Sequence, residues 1–246
     1  MAVGDSSLDG LYSYLGLGRE TTFGTGVTAT AGLEFLSASP KGLQQSKILE
    51  QISRNRVQSK LIKMGKTVEA EVESYFFPSV TATNYLLQNA LGGAITSATA
   101  TGETVGGAAF SHTYAIGDVN AQTNTSLTLN MAKGGATDGK VFEYTGLRVN
   151  ELSLNAEIDE ALKMSAVMIG KDFTTSATDL SAQFTVTTYE CLNFISGRVS
   201  VENSFASLTS SSFWHVQTMG LVVNNNLKGD AESRRIGSDT LDVLPS

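Results

Sequence analysis

The chain has very little of the chemistry that most enzymes and metalloproteins are built from. Its 246 residues include one cysteine, two histidines, one tryptophan and three prolines. A single thiol, Cys191, excludes an intramolecular disulfide framework and a cysteine-based zinc cluster. His112 and His215 stand alone, with no second ligand type at metal-binding spacing. No Gly-x-Ser-x-Gly elbow and no Gly-x-x-x-x-Gly-Lys-Ser/Thr loop occurs. Gly16-Leu17-Gly18 lacks the third glycine of a dinucleotide fingerprint. No run approaches the ~20 apolar residues of a membrane-spanning helix. The opening Met1-Ala2-Val3-Gly4-Asp5 shows neither the basic nor the apolar region of a secretory leader, so synthesis and folding in a cytoplasm are expected. Charged residues are also scarce, at 17%, against about 25% in an average soluble domain.

Glycine, threonine, serine and asparagine take the place of the missing charge, a composition of strands and turns rather than of long surface helices. With 41% hydrophobic residues, the chain has enough apolar surface to bury a core. Paired carboxylates such as Glu157 and Asp159 have the residue types for glycoside hydrolysis. However, only Phe213-Trp214 offers an aromatic platform for a sugar. The expectation is a scaffold that contacts other proteins, without catalytic activity, cofactor or metal.

Charge is distributed unevenly. The formal net charge of −7 argues against a general nucleic-acid coat. Yet Lys41, Lys47, Arg54, Arg56, Lys60, Lys63 and Lys66 face only Glu50 within residues 41–66, giving this segment +6 against −13 for the rest of the chain. An acidic body with one basic segment can attract copies of itself. A solvated amphipathic element and a nucleic-acid contact are the other readings of the same charge.

Along the chain, residues 1–32 read as an extended arm, and Glu34–Ser39 as a short strand closed by Pro40. Residues 41–66 fit neither period fully and read as an excursion, either an extended loop or a hairpin. In Lys66–Phe77, Val68, Ala70 and Val72 alternate with Glu69, Glu71 and Glu73. A period of two puts the three carboxylates on one strand face, about 7 Å apart. That face is either ordinary solvent surface or a wall facing something that must not stick, such as a polyanion in a conduit. Ser79–Leu91 predicts a helix, capped by Thr81 or Thr83 and stopped by Gly92-Gly93. Residues 94–109 read as a mobile loop. Phe110–Ile116, Ser126–Met131, Val141–Thr145 and Arg148–Ile158 read as strands, with a turn at Asp159-Glu160 and a return through Leu162, Met164, Ala166 and Met168. After a loop at 171–180, strands resume at Phe184–Thr188, Cys191–Ile195, Arg198–Glu202 and within Phe213–Leu227. Met219–Asn224 echoes Asn150–Asn155 at an offset of 69 residues, a faint internal repeat.

The order of these features resembles the tail tube proteins of long-tailed bacteriophages. Gly18-Arg19-Glu20-Thr21-Thr22-Phe23-Gly24-Thr25 is similar to the "G-x-E-x-x-x-G-T" opening of that family. The likeness continues through Arg54-Asn55-Arg56, the Gly65–Val72 strand, the Tyr85–Gly92 helix, and the hairpin from Tyr144-Thr145-Gly146-Leu147-Arg148-Val149-Asn150 to Ser165–Gly170, in all roughly residues 15–230. The resemblance implies a mainly β protein, an antiparallel β-sandwich or barrel with one flanking helix and a long extended loop. It implies an arm at 1–32, a tube domain at 33–180 with an inter-ring loop at 41–66, and a C-terminal β region at 181–246 that starts a second tube-like fold or extends the first. Copies would join edge to edge into rings, hexameric or trimeric with pseudo-sixfold symmetry. Stacked rings would form a virion tail tube enclosing a tape-measure protein and passing double-stranded DNA without sequence-specific binding. Glu69, Glu71 and Glu73 become lumen candidates, and Lys41, Lys47, Arg54, Arg56, Lys60, Lys63 and Lys66 candidates for contacts between rings. The subunit would be made in the host bacterial cytoplasm, with no membrane insertion. The rival readings are the inner tube of a contractile injection or secretion system, and a carbohydrate-binding or adhesive β-sandwich.

Overall fold

A computed structural model describes residues 13–49, 61–99, 110–117, 126–133, 140–176, 191–196, 214–229 and 233–242. In chain order the elements are β1 (Tyr14–Glu20), β2 (Ala31–Leu33), β3 (Ser37–Ala38), β4 (Lys41–Ile48) and β5 (Leu61–Tyr75). The helix α1 (Thr81–Leu91) follows, then β6 (Gly92–Thr99), β7 (Phe110–Ile116), β8 (Ser126–Lys133) and β9 (Lys140–Glu157). Last come β10 (Lys163–Gly170), β11 (Asp172–Ser176) and β12 (Thr218–Asn224). All the strand pairings among the described residues are antiparallel, so the chain has the mainly β, antiparallel fold with one helix that was expected.

The 18-residue strand β9 belongs to two sheets at once. Its first half pairs with β8 on one side and β11 on the other, extending to the order β2-β1-β8-β9-β11. Its second half pairs with β12 and β10, giving β12-β9-β10-β5 with β3 and β4 along the far side of β5. Leu15 and Leu17 from the first sheet, Val68, Ala70, Val72, Met164, Ala166 and Met168 from the second, and Ala82, Leu86 and Ala90 from the helix share one buried core. Gly146, at φ +68, lies where β9 passes between the sheets. A Cβ there would sit 2.6 Å from Cβ of Lys171 and 3.0 Å from the Phe23 ring, so only glycine fits.

Beside that point lies a buried carboxylate. Glu20 ends β1 and is 5% exposed. Its Oε1 accepts hydrogen bonds from the Gly146 N–H (2.8 Å) and the Thr128 hydroxyl (2.8 Å). Its Oε2 accepts from the Gly24 N–H (2.8 Å) and the Ser126 hydroxyl. One side chain therefore ties β1, the turn that follows it, β8 and β9. The other motif glycine, Gly24, has φ +70 and packs against the Lys171 side chain.

Several expectations are corrected here. Tyr14–Glu20, read as part of an arm, is a strand with Leu15 and Leu17 fully buried. Its period-two signal is carried by leucines alternating with Gly16 and Gly18, and a glycine adds no side chain to mark the second face. Of the two readings of 41–66, an extended loop or a hairpin, the described residues match the hairpin, since β4 pairs with β5 from Lys41↔Glu69 to Ile48↔Leu61. Residues 92–99, read mostly as loop, pair with β7. Asp172–Ser176, also read as loop, pairs with β9. Both are threonine- and serine-rich strands whose small polar side chains hide the alternation. The two strands read at Val141–Thr145 and Arg148–Ile158 are one. Residues 193–196 form a bridge and a 3₁₀ turn rather than a strand. Neither Thr81 nor Thr83 caps α1. Val80 takes the N-cap position in extended conformation with no side-chain bond, while Gly92 at φ 75 terminates the helix as expected. The strands read at Phe184–Thr188 and Arg198–Glu202 lie outside the described residues.

Met219–Asn224 lies directly against the segment it echoes, with Met219 opposite Ala156, Leu221 opposite Leu154 and Asn224 opposite Glu151. β12 pairs along β9 as an edge strand of the same sheet, with Val223 packed partly against the core and Met219, Leu221 and Val222 exposed. Asn225 fixes its end, with Nδ2 donating to the Ala90 and Val149 carbonyls (3.0 and 2.9 Å).

Replacing Glu20 with Gln removes the charge from four hydrogen bonds and turns an amide group towards donors. The expected loss is about 3–5 kcal/mol of subunit stability, or a fall in Tm of roughly 10 °C, measured by thermal denaturation at a concentration too low for assembly.

Candidate functional site: an acidic sheet face between two edges

The second sheet buries one face and exposes the other. On β5, Val68, Ala70, Val72 and Ser74 point into the core, and Glu69, Glu71 and Glu73 alternate with them on the opposite face. The register carries that face across the sheet. Glu71 stands opposite Val167, which stands opposite Glu151. Glu73 stands opposite Ser165, then Ser153, then Val222. Glu151 and Glu157 on β9 therefore share the face with the three glutamates of β5. Asn224 donates through Nδ2 to Oε2 of Glu151 (3.0 Å), and the Ser37 hydroxyl donates to Oε2 of Glu73 (3.3 Å). The face is lined by carboxylates, serines and asparagine with Val167 and Ile169 between them, a surface that repels anions and has few cations to hold them. Lys163 is the cation on β10, and its Nζ is 2.5 Å from Oε2 of Glu160. That hydrogen bond, with the Glu160 charge, raises its pKa above the ordinary lysine value.

Sequence reading singled out Glu69, Glu71 and Glu73 and missed Glu151 and Glu157 as their companions. The alternation in Arg148–Asp159 marks those two as outward-facing, but it cannot show that β10 places β9 next to β5. Arg148, in the same strand, is buried, and loss of hydration pulls its guanidinium pKa below the usual value.

Among the described residues the sheet has two edges paired on one side alone. One is β12. The other is formed by β3 and β4, interrupted at Pro40. The seven basic candidates divide between several places. Lys41 lies opposite Glu69, on the rim of the acidic face. Lys47 and Lys63 are exposed on the β4–β5 hairpin. Lys66 is bound within the chain, with Nζ 2.7 Å from Oδ1 of Asp172 and 5.7 Å from the Phe173 ring centroid. The Lys66 N–H donates to the Asp239 carbonyl (2.7 Å), and the Lys66 carbonyl accepts from Nη2 of Arg234 (2.5 Å). Arg54, Arg56 and Lys60 lie outside the described residues. Trp214 is exposed, and its aromatic neighbour Phe213 also lies outside them. Among the described residues no group of histidine, cysteine and carboxylate side chains could hold a metal ion, and no helix is long and apolar enough to cross a membrane.

The sequence pattern of the family described as phage tail tube protein matches residues 10–244. The chain belongs to the phage tail tube protein family. As a tail tube protein it is a structural component of the virion tail, and the family implies assembly with copies of itself into a multi-subunit tube. Solved structures similar to it include two from injection and secretion machines. The tube-terminating cap of the anti-feeding prophage shares 11% identity over 72% of this chain and 100% of its own, with a TM-score of 0.39. A type six secretion system protein shares 10% over 66% of this chain and 82% of its own, with a TM-score of 0.33. No curated protein matches the chain.

The different settings of the lysines of this tail tube protein give a direct test. Lys66→Glu would face Asp172 in a part-buried site and is expected to lower the Tm of the subunit by several degrees. Lys63→Glu and Lys47→Glu, on exposed positions, should leave it within about 1 °C. Equal melting curves for all three variants would show that the Lys66–Asp172 pair does not hold the base of the hairpin.

Proposed function

We propose that this protein closes into rings by joining its second sheet edge to edge, and that the stacked rings form a conduit for tape-measure protein and double-stranded DNA, a structural rather than a catalytic role. The observation that carries the reading is the acidic face itself: Glu69, Glu71, Glu73, Glu151 and Glu157 lie on one side of a sheet whose two edges have no strand partner among the described residues. An edge strand exposes unpaired N–H and C=O groups, and pairing β12 of one copy with the β3–β4 edge of the next would satisfy both edges. The acidic face then lines the bore. DNA in the bore meets carboxylates and neutral side chains, so no counterions are released and the duplex slides without binding.

The same geometry bears on ring size. Each copy brings β12, β9, β10, β5 and the β3–β4 edge side by side. Three copies would give a wall of about 15 strands, fewer than the 16–18 of the porins, whereas six give about 30. The pairing of β12 with β9 supports six single-fold copies. Lys41, Lys47, Lys63 and the basic residues of 54–60 fit contacts between rings, and synthesis in the host cytoplasm fits a subunit without membrane-spanning helices among its described residues.

Negative-stain electron microscopy of the purified protein at rising concentration tests the reading, with hollow tubes of sixfold rings expected. A protein that stays monomeric at every concentration, and is not recruited to growing tails, would overturn it. Changing Glu69, Glu71 and Glu73 to Lys should still permit tubes, but these should retain duplex DNA in a salt-sensitive manner and support infection at least about tenfold less well. Unchanged infectivity would remove these side chains from the bore.

A further inference from the structure

Among the described residues the second sheet has an odd number of strands across its width. From side to side these are β12, β9, β10, β5 and the β3–β4 edge, each antiparallel to the next. β12 and β4 therefore run in the same direction, at opposite edges. Rotation about the axis of a ring carries each strand into the next copy without reversing it along that axis. A ring that brings β12 of one copy beside β4 of the next must join them as parallel neighbours, although every described pairing inside the subunit is antiparallel.

The register fixes where the two edges meet. Asn224 is level with Glu151, Val167 and Glu71, and the Ser39 N–H donates to the Glu71 carbonyl (2.9 Å), so one row crosses the whole sheet. A sheet closes into a barrel only with its strands tilted, by about 35–45°. At the usual strand spacing and rise, that tilt staggers a repeat of this width by about five to seven residues. Only an even stagger keeps the carboxylate face on one side all round the ring, so the shift is about six residues. In one direction β12 would meet residues 27–33, which include β2 of the first sheet. In the other it lies along residues 39–45, with Gly220 level with Lys41 and Asn224 level with Gln45.

In that register the exposed apolar side chains of the two edges coincide. Val222 (56% exposed) and Leu43 (62%) are level on the acidic face. On the other face Leu221 (54%) is level with Gly42, and the Phe173 ring lies over that glycine, where a Cβ would come within 2.2 Å of it. Met219 is level with Pro40, at the end of the ladder, where no N–H is available. On the tube reading above, we infer that the seam between copies is parallel and staggered, with Gly220–Asn224 laid along Lys41–Gln45 of the next copy, Val222 against Leu43 and Leu221 against Phe173. A parallel ladder is slightly weaker per residue than an antiparallel one, and the apolar contacts on both faces of the seam supply the rest of the adhesion.

The test is disulfide cross-linking of assembled tubes in a Cys191→Ser background. Val222→Cys with Leu43→Cys, and separately Asn224→Cys with Gln45→Cys, should each give a ladder of linked copies that ends at one ring, and any of these cysteines alone at most a dimer. Asn224→Cys with Lys41→Cys, which an antiparallel seam centred on Val222 and Leu43 would join, should give no ladder. Leu221→Cys with Leu36→Cys, which a seam without stagger would join, should give none either. Leu221→Asp, at an exposed position, should leave the chain melting curve unchanged and raise the concentration needed for tube growth by about tenfold or more. A ladder from either of the last two cysteine pairs, none from the first two, a ladder that continues past one ring, or normal growth of the Leu221→Asp variant would overturn the inference and leave the tube reading intact. Wild-type protein that forms no tubes, alone or on growing tails, would instead overturn the tube reading, and this inference with it.

Discussion

The fold depends on a buried carboxylate. Glu20 gathers donors from β1's own turn, from two positions of β8 and from the N–H of Gly146, where β9 leaves one sheet for the other. An ionised group out of water is tolerated only when its oxygens are filled, and here they are filled by the elements that must meet for the sheets to share a strand. Gly24 and Gly146 hold positive φ on either side of it, each packed against Lys171. Lys171 in turn lies over the Phe23 ring, its Nζ 5.0 Å from the centroid. The G-x-E-x-x-x-G-T run is therefore a packing device for the crossing point rather than a flexible lead-in.

From that crossing the rest of the architecture follows. β9 carries the core from sheet to sheet, so that α1, tied by the Val149 N–H to Oδ1 of Asn89 (2.7 Å), closes one end. The second sheet is left with a face that the core does not need. That free face is where carboxylates accumulate, beside two edges that have no strand partner among the described residues.

Much of this was legible in the sequence, but unevenly. Strands with large apolar side chains on one face, such as Val68–Val72 and Leu152–Met168, declared both their period and their buried side. Strands built from glycine, serine and threonine did not, and β1, β6 and β11 were read wholly or largely as arm or loop although β1 lies between β2 and β8. The acidic face was half visible: alternation named Glu69, Glu71 and Glu73, but Glu151 and Glu157 join them only through the register of β10, a non-local fact. Lys66 looked like its basic neighbours because its partners, Asp172 and the 234–239 segment, lie more than a hundred residues away.

Pro40 gives the edge strand a further property. It separates β3 from β4 along β5, and its carbonyl is held by the Tyr144 hydroxyl (3.2 Å). Proline has no N–H to offer, so a strand approaching this edge meets a gap in the ladder at a fixed place. Pairing can run without interruption on either side of that gap but not through it, and Lys41 and Lys47 raise the electrostatic cost of stacking like edges together. An edge interrupted in this way is a poorer template for the indiscriminate strand addition that leads to amyloid.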